Sequence, residues 1–537
     1  MQCFQSTLPL SLKAIGLCLF YRNARPVSTA SILRVSVKTR AMAQLDTVGH
    51  RSRRMEGDDF LADILPKLLR QIYNSYSDRQ SPVIEFLQPD ELKTKLDFEL
   101  KDEPINNEQL EELARRAIKY SMKTGHPYFF NQLYGGVDAF AVSGSIINEA
   151  LNSTAFTYEI APVVSLIEQE FISKFSTEFI GYPKGQEDGI FCPGGSLANM
   201  YGLSLARHHR YPESKTKGIQ GIPPVHIYTS TLSHYSIKKA AFFMGFGLDN
   251  IIHIETDAAG RMLPEKLDEA IMDSKSKGYE PLMVNATSGT TVRGAYDPLE
   301  PIADVCAKHD NVWLHVDACW GGAALLSPKL RYKLKGVERS DSVAWDPHKM
   351  AGAILQCAPI ITKHKGLLAE AHSTNARYLF QQDKIYDCSL DTGDKSVQCG
   401  RKIDAFKLWM MWKAYGSRGM AERIEECFSN AEYLRQRLSE TPGFRLLFDE
   451  QECTNTCFWY IPPSLRGQEE NEEWWQKLSL VAPKIKGQMQ MTGRMMIGYQ
   501  PEGKYVNFFR MVIASAMNTH EDMDEVIRVI QEFGDKL

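Results

Sequence analysis

From residue 58 onward the chain carries two kinds of apolar pattern. Phe60, Leu61, Ile64 and Leu65, and later the stretch 110–120, place apolar residues at helical spacing, with acids ahead of bases. Further along the pattern shortens. Val225-His226-Ile227-Tyr228-Thr229, Leu282-Met283-Val284-Asn285-Ala286 and Val312-Trp313-Leu314-His315-Val316 are compact β-branched or apolar runs. Turn residues and then helical spacing follow each, an alternation that predicts an α/β fold with a mostly parallel sheet. Ligands in such sheets gather beyond the carboxyl ends of the strands. His234, Thr287 and Asp317 all fall just past predicted strand ends, so a shared site is expected there. The pattern divides the chain into an extension (1–55), an N-terminal helical segment (56–149), a large α/β domain (150–415) and a small C-terminal α/β domain (416–537).

Composition narrows the picture. A chain of 537 residues is long enough for two or three packed subdomains. Its 43% hydrophobic and 24% charged residues are ordinary for a globular protein. A net charge of −4 and the lack of a long basic run give no footprint for nucleic acid. No run of roughly eighteen apolar residues is present, so no membrane span is expected. Eleven cysteines, without a CxxC pair or zinc-ligand spacing, predict reduced thiols in a cytoplasmic protein and no metal site. The first 45 residues differ: they carry Lys13, Arg22, Arg25, Arg34, Lys38 and Arg40, and no acid precedes Asp46. That composition matches a mitochondrial transit peptide, which would place the protein in the matrix. Residues 15–20 could also form a secretory core, which reduced cysteines argue against. A disordered extension, with Met42 or Met55 as a later start, is the third reading.

Candidate chemistry lies in a few short segments. Pro193-Gly194-Gly195-Ser196 opens a helical run over 197–207. Its glycines let backbone come close, Ser196 can cap, and the positive helix end suits a phosphate, so Ser196, Leu197 and Ala198 form the candidate anchor. Ser233-His234-Tyr235-Ser236 offers an imidazole that can lie on a cofactor ring. Ala286-Thr287-Ser288-Gly289-Thr290-Thr291 adds hydroxyls at a strand end. Asp317 ends an apolar run, and Asp346-Pro347-His348-Lys349 sets a lysine just after a turn. An aspartate and a lysine so placed resemble the site of fold-type-I pyridoxal phosphate enzymes. There the lysine binds the aldehyde, and the aspartate keeps the pyridine nitrogen protonated.

Further segments make the resemblance specific. They are Phe130-Asn131-Gln132-Leu133, Thr157-Tyr158-Glu159-Ile160-Ala161-Pro162, Asp391-Thr392-Gly393-Asp394-Lys395, Gln398-Cys399-Gly400-Arg401, Gly498-Tyr499-Gln500-Pro501 and Asn507-Phe508-Phe509-Arg510. With the site motifs they stand in the order of the group II pyridoxal phosphate-dependent amino-acid decarboxylases, which the chain resembles from about residue 60 to its end. Within that family it resembles the acidic branch of glutamate, cysteine sulfinate and aspartate 1-decarboxylases, and the cysteine sulfinate subgroup most.

The resemblance implies a type-I pyridoxal phosphate-dependent transferase fold, pyridoxal 5'-phosphate as cofactor, and decarboxylation of a small acidic amino acid. Cysteine sulfinate giving hypotaurine comes first, aspartate giving β-alanine second. It also implies a homodimer, with dimerisation through segment 56–149 and a loop over 381–400 that reaches the partner's site. Lys349 would bind the aldehyde, Asp317 the pyridine nitrogen, and His234 would stack on the ring as a candidate acid–base group. Ser196, Leu197, Ala198, Thr287 and His348 would surround the phosphate and ring substituents. Gln132 and Arg510 would bind the substrate carboxylate, a task suited to a planar guanidinium fork.

Some positions depart from the family pattern. Asp346 stands where asparagine is usual, and its carboxylate near a phosphate predicts weaker cofactor affinity. Ala198 lacks a hydroxyl common in the anchor turn. Leu390 stands where glutamate decarboxylases carry an aromatic residue, often a proton-donating tyrosine, which leaves His234 or Lys349 to return the proton. Cysteine sulfinate decarboxylases resemble this chain at that position. Tyr134 predicts a shortened pocket that favours three- and four-carbon acids over glutamate, unless its ring points into the core. Glutamate decarboxylase is the alternative reading within the family. Phe-Asn-Gln-Leu and the Asp-Thr-Gly-Asp-Lys loop argue against an aminotransferase or another lyase. Joint retention of Lys349, Asp317 and His234 argues against a catalytically inactive binding or scaffold protein.

Overall fold

The computed structural model describes residues 57–537. The basic extension, with its targeting and alternative-start readings, lies outside the described residues. Two compact units are present: the residues through Arg70 with Lys101–Ala114, and Gln71–Leu100 with Arg115–Leu537. The first is helical, as its apolar spacing predicts, from the turns at Phe60–Ile64 onward. The second carries the sheets and the candidate site.

Its strands in chain order are β1 (Phe129–Phe130), β2 (Asp188–Cys192), β3 (Val225–Ser230), β4 (Ile251–Ile254), β5 (Glu280–Thr287), β6 (Trp313–Asp317), β7 (Ser342–Ala344), β8 (Ala358–Thr362), β9 (Phe444–Leu446), β10 (Asn455–Tyr460), β11 (Met496–Glu502) and β12 (Tyr505–Val512). A 7-stranded sheet runs β2-β8-β7-β6-β5-β3-β4. Strands β4, β3, β5, β6 and β7 are parallel, and β8 is antiparallel to both neighbours. The three predicted runs are β3, β5 and β6, side by side in the middle of this sheet. Both their faces are covered, so their sequences read as continuous apolar runs and not as alternation. The register pairs Thr287 with Asp317 and Asp317 with Ala344, which levels three strand ends.

The second sheet, β1-β11-β12-β10-β9, is built mostly from the C-terminal segment, but its first strand comes from Phe129–Phe130. The long helix Asp404–Glu440 breaks at Gly416, whose φ of 65° and ψ of 175° suit only glycine. That break falls at the predicted edge of the small domain. No helix among the described residues is long and apolar enough to cross a membrane.

Packing fixes the strand ends that matter for chemistry. Trp345, fully buried at the end of β7, stacks on Phe175 with ring centroids 4.2 Å apart and planes 5° from parallel. Burying an indole removes about 200 Å² from water, worth at most about 5 kcal/mol. That anchor sits one residue before Asp346 and four before Lys349, so the turn carrying both starts from a rigid point.

Candidate active site

A cavity of about 300 Å³ opens beyond the ends of β5 and β6, and Ser196, His234, Thr287, Asp317, His348 and Lys349 all line it. The shared site expected from strand-end placement therefore exists. A wider open groove of about 740 Å³ lies beside the helix Asp404–Glu440, but its charged walls include the Lys329–Glu425 ion pair. The smaller cavity holds the perturbed groups.

The anchor turn is shaped by two glycines. Gly194 has φ +94°, and a Cβ on Gly195 would collide with Cys319 Sγ and come within 2.6 Å of Asp346 Oδ2. The helix Gly195–Arg210 starts here, and its first amides have no intrahelical acceptor. The amides of Leu197 and Ala198 donate back to the Gly194 carbonyl at 3.1 and 3.2 Å. Ala198 is fully buried in the core and Leu197 packs against it; neither lines the cavity. In this structure the turn engages the amides of these two predicted cofactor residues and the helix turns their side chains inward. The buried Gly195 and the exposed Ser196, both lining the cavity, remain as the start of the anchor.

Asp317 is held by the frame of the fold. Its Oδ1 accepts from the Cys319 amide at 3.1 Å, and its Oδ2 accepts from Asn199 Nδ2 at 2.8 Å. Burial works against its charge, but His234, Lys349 and the Cys319 thiol outweigh it and hold the carboxyl below its usual range. Asn199 was not singled out in the sequence. Its signal was there: Gly195, Asn199 and Gly202, spaced four and three apart, put two glycines and an amide on one helix face.

Lys349 and Asp346 form the other corner. Lys349 Nζ lies 3.0 Å from Asp346 Oδ2, and the Asp346 side chain is 2% exposed. Burial works against the ammonium, but Asp346, Cys319 and Asp317 more than reverse it, so Lys349 stays charged above the ordinary lysine range. Asp346 Oδ1 has no hydrogen-bond partner. His348 also reaches this corner, with its Nδ1 2.7 Å from the Cys357 carbonyl and its Nε2 3.8 Å from Asp346. Burial lowers the pKa of both His348 and His234.

The substrate side is only partly as predicted. Arg510 on β12 donates to the carbonyls of Thr291 and Asn131 at 3.2 and 3.0 Å, and its buried Nε has no partner. Thr291 and Leu133 line the cavity; Arg510 does not, and its guanidinium lies behind them, on the Thr291 and Asn131 carbonyls. Lys486 is close by and donates to Asn131 Oδ1 at 2.7 Å; burial and Arg510 both lower its pKa. Gln132 is exposed and does not line the cavity. Residues 131–133 form a bend after β1 that puts Leu133 in the wall and leaves Gln132 exposed. Tyr134 packs on Phe129, ring centroids 6.1 Å apart, within a small cluster around Val83 and Met496. Its ring belongs to the core and sets no pocket length. Leu390 does not line the cavity either. It lies in the turn Cys388–Leu390, next to Asp391, which accepts from the Tyr158 amide at 2.9 Å and pairs with Lys384 at 2.8 Å.

With this geometry in place, the comparisons with known proteins are direct. The pyridoxal-dependent decarboxylase conserved domain matches residues 89–461. The chain is 48% identical over 479 residues to acidic amino acid decarboxylase GADL1 of Xenopus tropicalis, covering 89% of this chain and 93% of that one. It is 49% identical over 456 residues to human cysteine sulfinic acid decarboxylase, covering 85% and 92%. The crystal structure of mouse CSAD superposes with a TM-score of 0.84 at 46% identity, covering 88% of this chain and 99% of that one. The chain belongs to the pyridoxal-dependent decarboxylase family and is a pyridoxal phosphate-dependent carboxy-lyase.

The residues present fit that cofactor. The helix start at Gly195 and Ser196 offers amides to a phosphate, and Thr287 Oγ1 is buried, unpartnered and in the cavity wall. Asp317 offers an ionised carboxylate, and Lys349 an amine with 21% of its side chain accessible. Asp346 fits least well, since it brings a second carboxylate against the anchor turn.

Proposed function

We propose that this chain decarboxylates cysteine sulfinate to hypotaurine, with aspartate, giving β-alanine, as its second substrate. The observation that carries an acidic substrate is the Arg510 guanidinium, mostly buried, bonded only to carbonyl oxygens and flanked by Lys486. A buried cation without an anion is unfavourable, so an acidic ligand completes it and a neutral one does not. The choice among acids rests on Leu390 and on the relatives, whose names specify cysteine sulfinic acid or acidic amino acids.

When bound, pyridoxal phosphate supplies an electron-withdrawing ring that takes up the electron pair of the breaking Cα–carboxylate bond. The chain's residues divide the remaining work. Amides at Gly195 and Ser196 bind the phosphate, with Thr287 and His348 beside it. Asp317 would hold a proton on the ring nitrogen, His234 would flank the ring, and Lys349 would hold the cofactor through its aldehyde. Arg510 orients the carboxylate through paired donors, while Leu133 and Trp320 keep water from the wall. Leu390 has no proton to give. His234 is held neutral by burial, whereas Lys349 Nζ is held charged, so Lys349 returns the proton to Cα. Competition among cysteine sulfinate, aspartate, cysteate and glutamate, read by amine product, tests the substrate. Hypotaurine should dominate; faster turnover of glutamate than of both shorter acids would replace this reading with glutamate decarboxylase.

We also propose a homodimer. Ile146, Ile147 and Leu151 on the helix Ala139–Leu151, and Val163 and Leu166 on Pro162–Lys174, are exposed, and a second copy would cover such a surface. Leu151→Asp with Leu166→Asp should shift sedimentation toward the monomer. All described cysteines, from Cys192 to Cys457, are free, which supports a reducing compartment such as the cytoplasm.

A further inference from the structure

Behind the cavity runs an unbroken chain of buried hydrogen bonds whose direction can be read from its first donor. Trp313 Nε1 can only donate, and it donates to Ser342 Oγ at 3.0 Å. The Ser342 hydroxyl then has its own proton for His315 Nδ1, 2.8 Å away. His315 is fully buried, and burial lowers its pKa to about 4, so it is neutral and its proton is on Nε2. Nε2 donates to Asn199 Oδ1 at 3.0 Å, which fixes the orientation of that amide. Asn199 Nδ2 in turn donates to Asp317 Oδ2 and to Ser236 Oγ, each at 2.8 Å. The Ser236 hydroxyl is left with one proton, and its neighbour is His234 Nδ1 at 2.9 Å. The Ser236 amide also points at that nitrogen, at 3.3 Å.

Trp313, His315, Ser342, Asn199 and Ser236 are each no more than 3% exposed, and both polar atoms of the Asn199 amide are satisfied. The fold makes room for the relay: a Cβ on Gly202, one turn past Asn199, would sit 2.5 Å from His315 Nδ1. A wholly satisfied buried network of this kind fixes one arrangement of its members.

We propose that Asn199 is a positioning residue, acting through Ser236 to hold His234 as the tautomer that accepts at Nδ1 and carries its proton on Nε2, while orienting Asp317 through its other N–H. The same amide thus sets both walls of the cofactor site. His234 lines the cavity, so its Nε2–H is a hydrogen-bond donor to an anionic oxygen of the bound ligand, and that nitrogen cannot take up a proton there. This separates its work from that of Lys349.

The role in turnover rests on the proposed decarboxylation; the tautomer does not. Magic-angle-spinning ¹⁵N spectra of the histidine-labelled, cofactor-loaded protein read it directly, with His234→Gln identifying the signal among 13 histidines. The wild type should show Nδ1 bare and Nε2 protonated; a protonated Nδ1 would overturn the proposal whatever the protein decarboxylates. Asn199→Asp keeps the shape but removes the donor, so the Ser236 hydroxyl turns toward residue 199 and His234 Nδ1 becomes protonated. In that variant kcat should fall at least tenfold with KM changed less than threefold. An unaltered tautomer in folded Asn199→Asp, or a KM effect without a kcat effect, would also overturn it. If Asn199→Asp does not fold, the wild-type spectrum decides.

Discussion

Asp317 closes β6 and Asp346 lies two residues beyond β7; both are buried, and both face the same cavity, yet the fold treats them differently. Both oxygens of Asp317 are bonded to groups that do not react, the Cys319 amide and the Asn199 side chain. Asp346 has one oxygen on the Lys349 ammonium and the other unpartnered. The first carboxylate is held in place by groups outside the cavity, with His234 and Lys349 adding to its charge. The second depends on the protonation of the lysine that must react. Preorganised groups act without rearrangement at the moment of reaction. By that measure the Asp317 corner is finished machinery, and the Asp346 corner is a constraint on it.

Removing groups from each corner should expose the contrast. The largest effect is expected from Lys349→Ala, which should abolish amine formation and, by leaving the buried Asp346 carboxylate without its partner, lower the thermal midpoint of a chain that still folds. Normal turnover by this variant would undo the site assignment. Asp317→Asn comes next. It should still bind cofactor, but kcat should fall by about two orders of magnitude or more, since loss of a charge partner shifts the ring nitrogen by several pKa units. Near-wild-type rates would mean that Asp317 is no more important than its neighbour.

Acid should act on the framework behind Asp317. His315 is neutral and buried, its pKa lowered to about 4 from 6.5. A depressed pKa means that the unfolded chain binds the proton more tightly, so the stability it confers is complete above about pH 6.5 and is lost as pH falls toward 4. The span corresponds to about 3 kcal/mol. Thermal midpoints of the wild type and His315→Gln, compared between pH 7.5 and 4.5, should converge as pH falls. Parallel curves would show that His315 carries no such linkage.

The same contrast explains what the sequence disclosed. Strands β3, β5 and β6 were legible because both their faces are buried, so each reads as an unbroken apolar run. The alignment of Thr287 and Asp317 followed from those ends. Strand β7 has three residues and β1 two, too few for any periodicity, and the pairing of β1 with β11 joins distant parts of the chain. Motif order located Phe130-Asn131-Gln132-Leu133 but not which way each side chain points, so Gln132 was expected where Asn131 and Leu133 stand. For the same reason the sequence left open whether the Tyr134 ring shortens the pocket or joins the core, where it packs. Asn199 was hidden because its importance lies in partners that only the fold brings together: Ser236, His315 and Asp317.

The smallest effect, and the one that bears most closely on the comparison, is expected from Asp346→Asn. The substitution keeps the side-chain size and the close approach to Gly195, but removes a carboxylate that faces the anchor turn and holds Lys349 charged. A neutral lysine amine is needed to react with the cofactor aldehyde, and a phosphate binds better without a like charge nearby. Both changes act in one direction. Absorbance titration of the cofactor-stripped protein at pH 7.5 should show pyridoxal phosphate binding roughly three- to tenfold tighter, about 1 kcal/mol. That advantage should persist at pH 9.5, because Lys349, held charged above the ordinary lysine range, still keeps its proton there in the wild type. Tighter binding with kcat within a few fold would mark Asp346 as a constraint beside finished machinery. Weaker binding by the asparagine variant would mean that Asp346 serves the cofactor, and the two carboxylates would then have to be regarded as partners.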